Sequence, residues 1–254
     1  MNSPKALRFC LATMAILVGS TSTASATEDG WYYQLSLGVA NFSSPLTDAI
    51  DAVNAELAAD PELEVTGTGF VDDSDSTWTF AIGYRINPYV GLELAYVNLG
   101  KQGFGATTDD ATDIPWELWQ LIVPEATPAE VASLNASAEL DGEIRSGGAL
   151  VSLFGSYPIN NFEFSGRLGL FFAKTQLSGD LFLQDNTDPT IIGELDFDST
   201  KSTMELMAGL GVGYTFFDHL QVRLDYSFFP DVGDEELTLE TDVSAITAGV
   251  AYRF

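Results

Sequence analysis

Eight charged side chains occur at alternate positions in runs whose other alternate positions are mostly large and apolar: Arg85, Glu93, Glu163, Arg167, Glu205, Arg223, Asp225 and Arg253. Around Arg223, for instance, Leu220, Val222, Leu224 and Tyr226 alternate with Gln221, Arg223 and Asp225. Alternation of period two sends successive side chains to opposite faces of an extended chain, so the four arginines and four acids share the non-apolar face. Two chemistries suit such a set. Enclosed together, guanidinium and carboxylate groups pair and fill a narrow interior. Lining a passage, they gate it and tune which ions cross. The first account is favoured, because a small closed sheet leaves room inside only for side chains or one small ligand.

Other chemistry is sparse. The single histidine, His219, stands beside Asp218 at an expected tight turn, with no serine placed to work with it, and reads as an interfacial residue rather than a general base. No His/Cys cluster offers a zinc site. Asp72-Asp73-Ser74-Asp75 and Asp185-Asn186-Thr187-Asp188 present oxygens to divalent cations, but both lack the glycine and terminal glutamate of an EF-hand loop. They read first as solvated acidic loops. No cofactor is implied, and the chain does not read as an enzyme.

The charged positions are carried by eight alternating stretches: 31–40, 77–86, 90–96, 146–157, 162–172, 203–216, 220–228 and 246–254. Trp31, Tyr33, Leu35, Leu37 and Val39 oppose Tyr32, Gln34, Ser36, Gly38 and Ala40 in the first. The fourth is less regular, because Leu150 and Phe154 fall on its otherwise small and polar face. Most of these runs approach the 9–11 residues of a tilted membrane-crossing strand, and an even count suits a closed barrel. Three tight turns of three or four residues, one of them Asn87-Pro88-Tyr89, alternate with four connections of about 12 to 48 residues. A β-sandwich has no reason to sort its connections in this way; a barrel with short turns at one end and long loops at the other does.

Charge sorts with the connections. The chain carries 37 acidic residues and 10 basic ones, and most of the acids fall in the four long connections. The apolar faces carry none, as expected of a face that meets hydrocarbon, where an ionised side chain costs about 2–4 kcal/mol at the midplane. Trp31, Tyr84, Tyr89, Tyr157, Tyr214, Phe217 and Tyr252 gather near the tight-turn end as an interfacial girdle. Within the long connections, 47–59 has helical spacing with acids in its first turn. Thr127-Pro128-Ala129-Glu130 reads as a capping box. The apolar stretch 114–123, with Trp116, Trp119, Leu121 and Ile122, reads as a loop helix packed over the barrel mouth.

The N-terminus fixes the compartment. Lys5 and Arg8 precede an apolar run at 9–18, and Ala24-Ser25-Ala26 follows as a cleavage site. This is a secretory signal at 1–26, too short to span a membrane, and the barrel domain is expected over 27–254. Cys10, the only cysteine, leaves with the signal, which excludes disulfides and thiol catalysis. The acidic balance excludes nucleic acid as a partner, since that binding rests on Lys and Arg neutralising phosphates. A 12% aromatic content also sets the chain apart from disordered acidic sequences.

Several runs carry a resemblance. Asn87-Pro88-Tyr89-Val90-Gly91-Leu92-Glu93-Leu94, Gly211-Val212-Gly213-Tyr214, Val222-Arg223-Leu224-Asp225-Tyr226 and the closing Tyr252-Arg253-Phe254 together resemble the OmpA-like transmembrane domain of small outer-membrane barrels. The resemblance covers strands and tight turns, not the longer loops. It implies a lumen filled by acidic and basic side chains, with Glu93, Arg167 and Arg223 at matching positions. This chain departs at Phe154, where the pattern has a lysine, and at Gly213, where it has a glutamate. Val250, Tyr252 and Phe254 are similar to the C-terminal signal read by the outer-membrane assembly machinery.

The expected fold is therefore all-β: an eight-stranded antiparallel up-and-down transmembrane β-barrel with short periplasmic turns and long, partly helical extracellular loops. The expected setting is the outer membrane of a Gram-negative bacterium, with outer-membrane lipid, lipopolysaccharide and the assembly machinery as partners. Divalent cations at the acidic loops and an unnamed extracellular partner are further expectations. The leading function is structural or surface interaction. A narrow porin-like channel for small solutes or ions is the alternative, and a lipid-modifying enzyme ranks third.

Overall fold

A computed structural model describes residues 30–43, 45, 47, 68–110, 120, 122–124, 127–131, 135–186, 191–217, 219–233 and 240–254. The expected signal at 1–26 and most of 44–67 and 111–126 lie outside these residues, as do Asp218, Thr187 and Asp188. Nine strands are described: β1 (Gly30–Ser43), β2 (Thr68–Val71), β3 (Ser74–Asn87), β4 (Val90–Thr108), β5 (Ala136–Ile159), β6 (Phe162–Asp185), β7 (Ile191–Phe217), β8 (Leu220–Val232) and β9 (Thr241–Arg253), with a short helix α1 (Pro128–Val131) before β5. All neighbours run antiparallel, and the order β4-β3-β1-β9-β8-β7-β6-β5 closes through pairing of β4 with β5. β2 and β3 both pair with β4, so they occupy one wall position broken at Asp72-Asp73. The ring has eight positions, the expected barrel.

The barrel wall is apolar on its outer face and carries buried charges on its inner one. Leu168 is 69% exposed while Arg223 is 3% exposed, the reverse of a soluble protein and the arrangement a hydrocarbon solvent demands. Tight turns set the register. The Asn87 side chain accepts hydrogen bonds from the backbone N–H groups of Tyr89 and Val90 at 2.8 and 2.9 Å, and Asn160 takes φ 55° between β5 and β6, a conformation asparagine tolerates well.

Four strands are much longer than the alternation predicts, the first being β4, which runs for 19 residues. β5, β6 and β7 have 24, 24 and 27 residues, and the expected loop between the fifth and sixth strands is a hairpin paired up to Gln184↔Ile191. The outward faces of these continuations carry Gln176, Ser178, Asp180, Asp196 and Asp198. Pairing beyond the membrane needs no apolar outward face, so the hydrophobic pattern ends before the strands do. From Lys174 to Asp185, β6 continues for roughly 35 Å along its axis. β4 to β7, with the short β2 paired on the outer part of β4, thus leave the barrel as a five-stranded sheet. β8 pairs with β7 only as far as Ala208↔Phe228. Pro230, which lacks an N–H, and Asp231, at φ 53°, mark where β8 leaves it. Among the described residues, β7 from 191 to 207 has β6 on one side and no strand on the other.

The inner face of this sheet has its own core, in which Ile122, Val131, Ala136, Ala138 and Leu183 are buried and Val123, Leu181 and Leu195 pack against them. The described end of the 114–123 stretch therefore packs on the extension sheet. The capping box is present: Thr127 donates to the Glu130 carboxylate through its hydroxyl at 2.6 Å and its N–H at 2.9 Å, and the Glu130 N–H returns a bond at 3.4 Å.

Candidate functional site

The lumen is layered. Nearest the tight turns, Glu163 accepts hydrogen bonds from Arg85 and, at 2.8 Å, from Arg253; Arg253 also donates to Gln221 at 2.9 Å. One layer in, Asp225 accepts from Arg223 at 3.1 Å, Arg167 at 3.2 Å and Gln34 at 3.0 Å. Arg223 lies 3.8 Å from Glu163 and so links the layers. Arg167 stands 3.5 Å from Glu93, to which the Tyr32 hydroxyl also donates. The seven charged groups are nearly fully buried. Removing them from water is offset only because each arginine and each acid has an opposite charge beside it.

Neighbouring residues make this packing fit. Where the family pattern has a glutamate, Gly213 leaves room for Gln221, whose Nε2 would lie 2.4 Å from an added Cβ. Gly211 makes the same space for Asp225, at 2.1 Å. Phe154, in place of a lysine, lies under the Arg85 guanidinium at 5.3 Å and edge-on to Tyr32 at 5.8 Å. Of the eight charged positions, the structure brings seven together. Glu205 lies apart, half-buried in register with Phe171 and outside these pairs. Tyr32 and Gln34 belong to the network although neither is charged; their position on the non-apolar face of the first strand was the available signal.

The other half of the lumen is mainly apolar, with Glu205 as a charged exception in register with Phe171. Phe42, Val97, Leu99, Leu150, Phe171, Met207, Phe229 and Val243 form one buried cluster with six further residues, including Ala95 and Ala173. Leu150, out of pattern in the sequence, belongs here because the inner face is not polar throughout. Val250 and Tyr252 face outward on β9, and Phe254, just past its end, is exposed with its ring edge-on to Tyr33 and Tyr252 at 5.3 and 5.1 Å.

Outside the barrel, the extension sheet presents acids. Asp141, Asp180 and Asp196 are register partners across β5, β6 and β7, with Glu139, Glu143, Glu194 and Asp198 on the same face. The Asp180 carboxyl is held above the ordinary aspartate range, first by its hydrogen bond with Asp196, then by desolvation and the charges of Asp196 and Asp141. The acids of 72–75 are engaged by the chain itself: Asp73 accepts from the Thr47 hydroxyl at 2.9 Å and Asp75 from the Lys101 N–H at 2.9 Å. Among the described residues, no group of three or more His, Cys, Asp or Glu side chains is placed to hold a metal ion. His219 sits at the β7–β8 turn, its ring 6.0 Å from that of Tyr252.

The family model of the OmpA-like transmembrane domain matches residues 26–254. Among solved structures, the chain is similar to Ail of Yersinia pestis in complex with the heparin analogue sucrose octasulfate, at 12% identity over 90% of this chain and 100% of that one, with a TM-score of 0.45. It is also similar to OprG of Pseudomonas aeruginosa, at 13% identity over 90% and 98% with a TM-score of 0.43. Neisserial surface protein A is similar at 14% identity over 89% and 97% with a TM-score of 0.42. No curated protein sequence matches the chain.

Proposed function

Because the chain belongs to the OmpA-like transmembrane domain family, it is a β-barrel of the bacterial outer membrane, and we propose that it acts by surface interaction, as a closed barrel presenting an acidic sheet outside the cell. In this reading residues 1–26 are the cleaved signal, the tight turns face the periplasm, and the outer parts of β4 to β7 stand in the extracellular space. The observation that carries it is the continuation of these strands past the apolar belt, with no strand paired, among the described residues, on the outer edge of β7. An open edge is a template for an added strand. The acids beside it select an added strand with basic residues at every second position, since opposite charges across a ladder stabilise and like charges oppose.

The test uses refolded protein and a synthetic peptide alternating lysine with valine. Binding is expected, with slowed amide exchange at alternate residues between 193 and 203. A variant in which an Asn-Gly turn replaces 179–197 joins register partners and keeps the barrel; it is expected to lose the binding. Equal binding by the trimmed variant overturns the reading.

The channel alternative requires ions to pass the apolar half of the lumen, and discrete conductance of the wild-type protein in a planar bilayer is its signature. The reading proposed is non-enzymatic. Its check is an unchanged membrane lipid profile in cells with and without the protein, which also holds when His219 is replaced.

A further inference from the structure

Few cations lie outside the lumen, and three of them meet in one place. Downstream of the signal, the basic residues are the four lumen arginines together with Lys101, Arg145, Lys174 and Lys201. Lys101, Arg145 and Lys174 line one open cavity of about 350 Å³, together with Asn98, Ser146 and Gln176 among others.

The strand register places this cavity at a defined depth. Tyr96, Ala149, Phe172 and Met204 form the last apolar outward rung across β4 to β7. The next rung is Asn98, Gly147, Lys174 and Ser202, and Lys101, Arg145 and Gln176 follow. The cations therefore begin where the hydrocarbon-facing surface stops. Gly147 and Gly100 keep the floor of the cavity low, the latter at φ 88°, a backbone conformation that favours glycine.

The charge balance is locally inverted. Glu143 binds both Lys101, at 2.8 Å, and Arg145, and Asp75 also lines the cavity. Three cations thus face two carboxylates in a chain whose formal net charge is −27. Lys174 has no ion-pair partner among the described residues. The Arg145 and Lys101 side chains stay 61% and 53% exposed, so they are accessible to a ligand from the headgroup layer.

We propose that this cavity binds a lipid-borne phosphate of the outer leaflet, with Lys101, Arg145 and Lys174 as its cationic ligands. Arginine and lysine at the edge of an apolar belt are suited to such a group, Arg145 through paired N–H donors and the lysines as point charges. Without this cavity, the acidic face above it would repel the anionic surface of lipopolysaccharide. The proposal rests on the orientation given above, with the extension sheet outside.

The test measures retention of lipid A by the refolded full barrel in detergent micelles. The wild-type protein is expected to retain bisphosphorylated lipid A and not the dephosphorylated form. Lys101→Gln, Arg145→Gln and Lys174→Gln are each expected to weaken retention about fivefold, following about 1 kcal/mol per basic residue at a membrane surface, and Lys174→Arg is expected to retain it. Circular dichroism melting checks that every variant is folded. Equal retention by the glutamine variants, or of the dephosphorylated lipid by the wild type, overturns the proposal. So does inorganic phosphate binding with the same residue dependence, which would make this a free-phosphate site. Separately, Ser178→Cys on intact cells is expected to react with a membrane-impermeant maleimide. Failure there, with retention intact, overturns the orientation and not the site.

Discussion

Phe171 and Phe229 meet inside the barrel with ring centroids 5.0 Å apart and planes tilted by 60°, each no more than 1% exposed. They come from strands on either side of β7, and Met207 belongs to the same cluster. This contact, together with Leu99 and Leu150, belongs to the apolar packing in the half of the lumen away from the tight turns. The ion pairs fill the other half.

This packing makes conductance a test of whether the apolar layer or the ion pairs control passage through the barrel. The wild-type protein is expected to be silent in a planar bilayer, and Arg223→Ala or Glu93→Ala is expected to leave it silent. Phe171→Ala with Phe229→Ala is expected to give discrete openings, because an apolar constriction blocks by staying dry. Each phenylalanine truncation is also expected to cost about 3–5 kcal/mol of stability, read by urea unfolding in lipid vesicles.

Asp225 is the shared partner of Arg167, Arg223 and Gln34. Asp225→Ala removes the acceptor and leaves the buried Arg167 and Arg223 guanidinium groups with only their longer contacts to Glu93 and Glu163, at 3.5 and 3.8 Å. A loss of about 3–5 kcal/mol is expected, measured by the same unfolding experiment, while Asp242→Ala at the exposed end of β9 is expected to change little.

Gly213 and Gln221 compete for one volume. Gly213→Ala is expected to destabilise by about 1–3 kcal/mol through overpacking, since its Cβ would overlap the Gln221 side chain. In the Gln221→Ala background the same substitution is expected to cost less. The double-mutant cycle measures that coupling, and additive effects would count against the steric account.

The aspartate ladder makes the extension sheet pH-sensitive. Asp180 binds its proton more tightly in the folded sheet than in an unfolded chain, so between the ordinary aspartate value of 3.8 and the raised one the folded state holds more protons. Stability of the extension therefore falls as pH rises through that window. A carboxyl-carbon NMR titration is expected to place the Asp180 midpoint above the ordinary value, and Asp196→Asn to lower it. Glu143 shifts the opposite way, held low first by its hydrogen bond from Lys101.

The strand count, the outward faces and the tight turns are legible in the sequence, because hydrocarbon imposes a strict pattern on every position it touches. The pattern stops at Tyr96, Phe172 and Met204, and the alternation reveals nothing of the sheet beyond them: there, the backbones of Asp180 and Asp196 pair without any apolar outward face, and an acidic strand looks like an acidic loop. Inside, the non-apolar face identifies candidates but not partners. Which arginine meets which acid depends on the stagger between strands far apart in sequence, as with Arg85 and Glu163. Leu150 and Phe154 were the visible irregularities, and they mark places where the inner face turns apolar.

The continuity of β5, β6 and β7 from the tight turns to the tip of the extension has a mechanical consequence. Ladder hydrogen bonds lie across the strands. A force applied outward along β6 therefore loads many rungs in shear at once, rather than opening them one by one as when a hairpin is peeled. Tension at the tip is delivered to the wall that lies in the membrane, so an anchored cell would be held by its whole barrel.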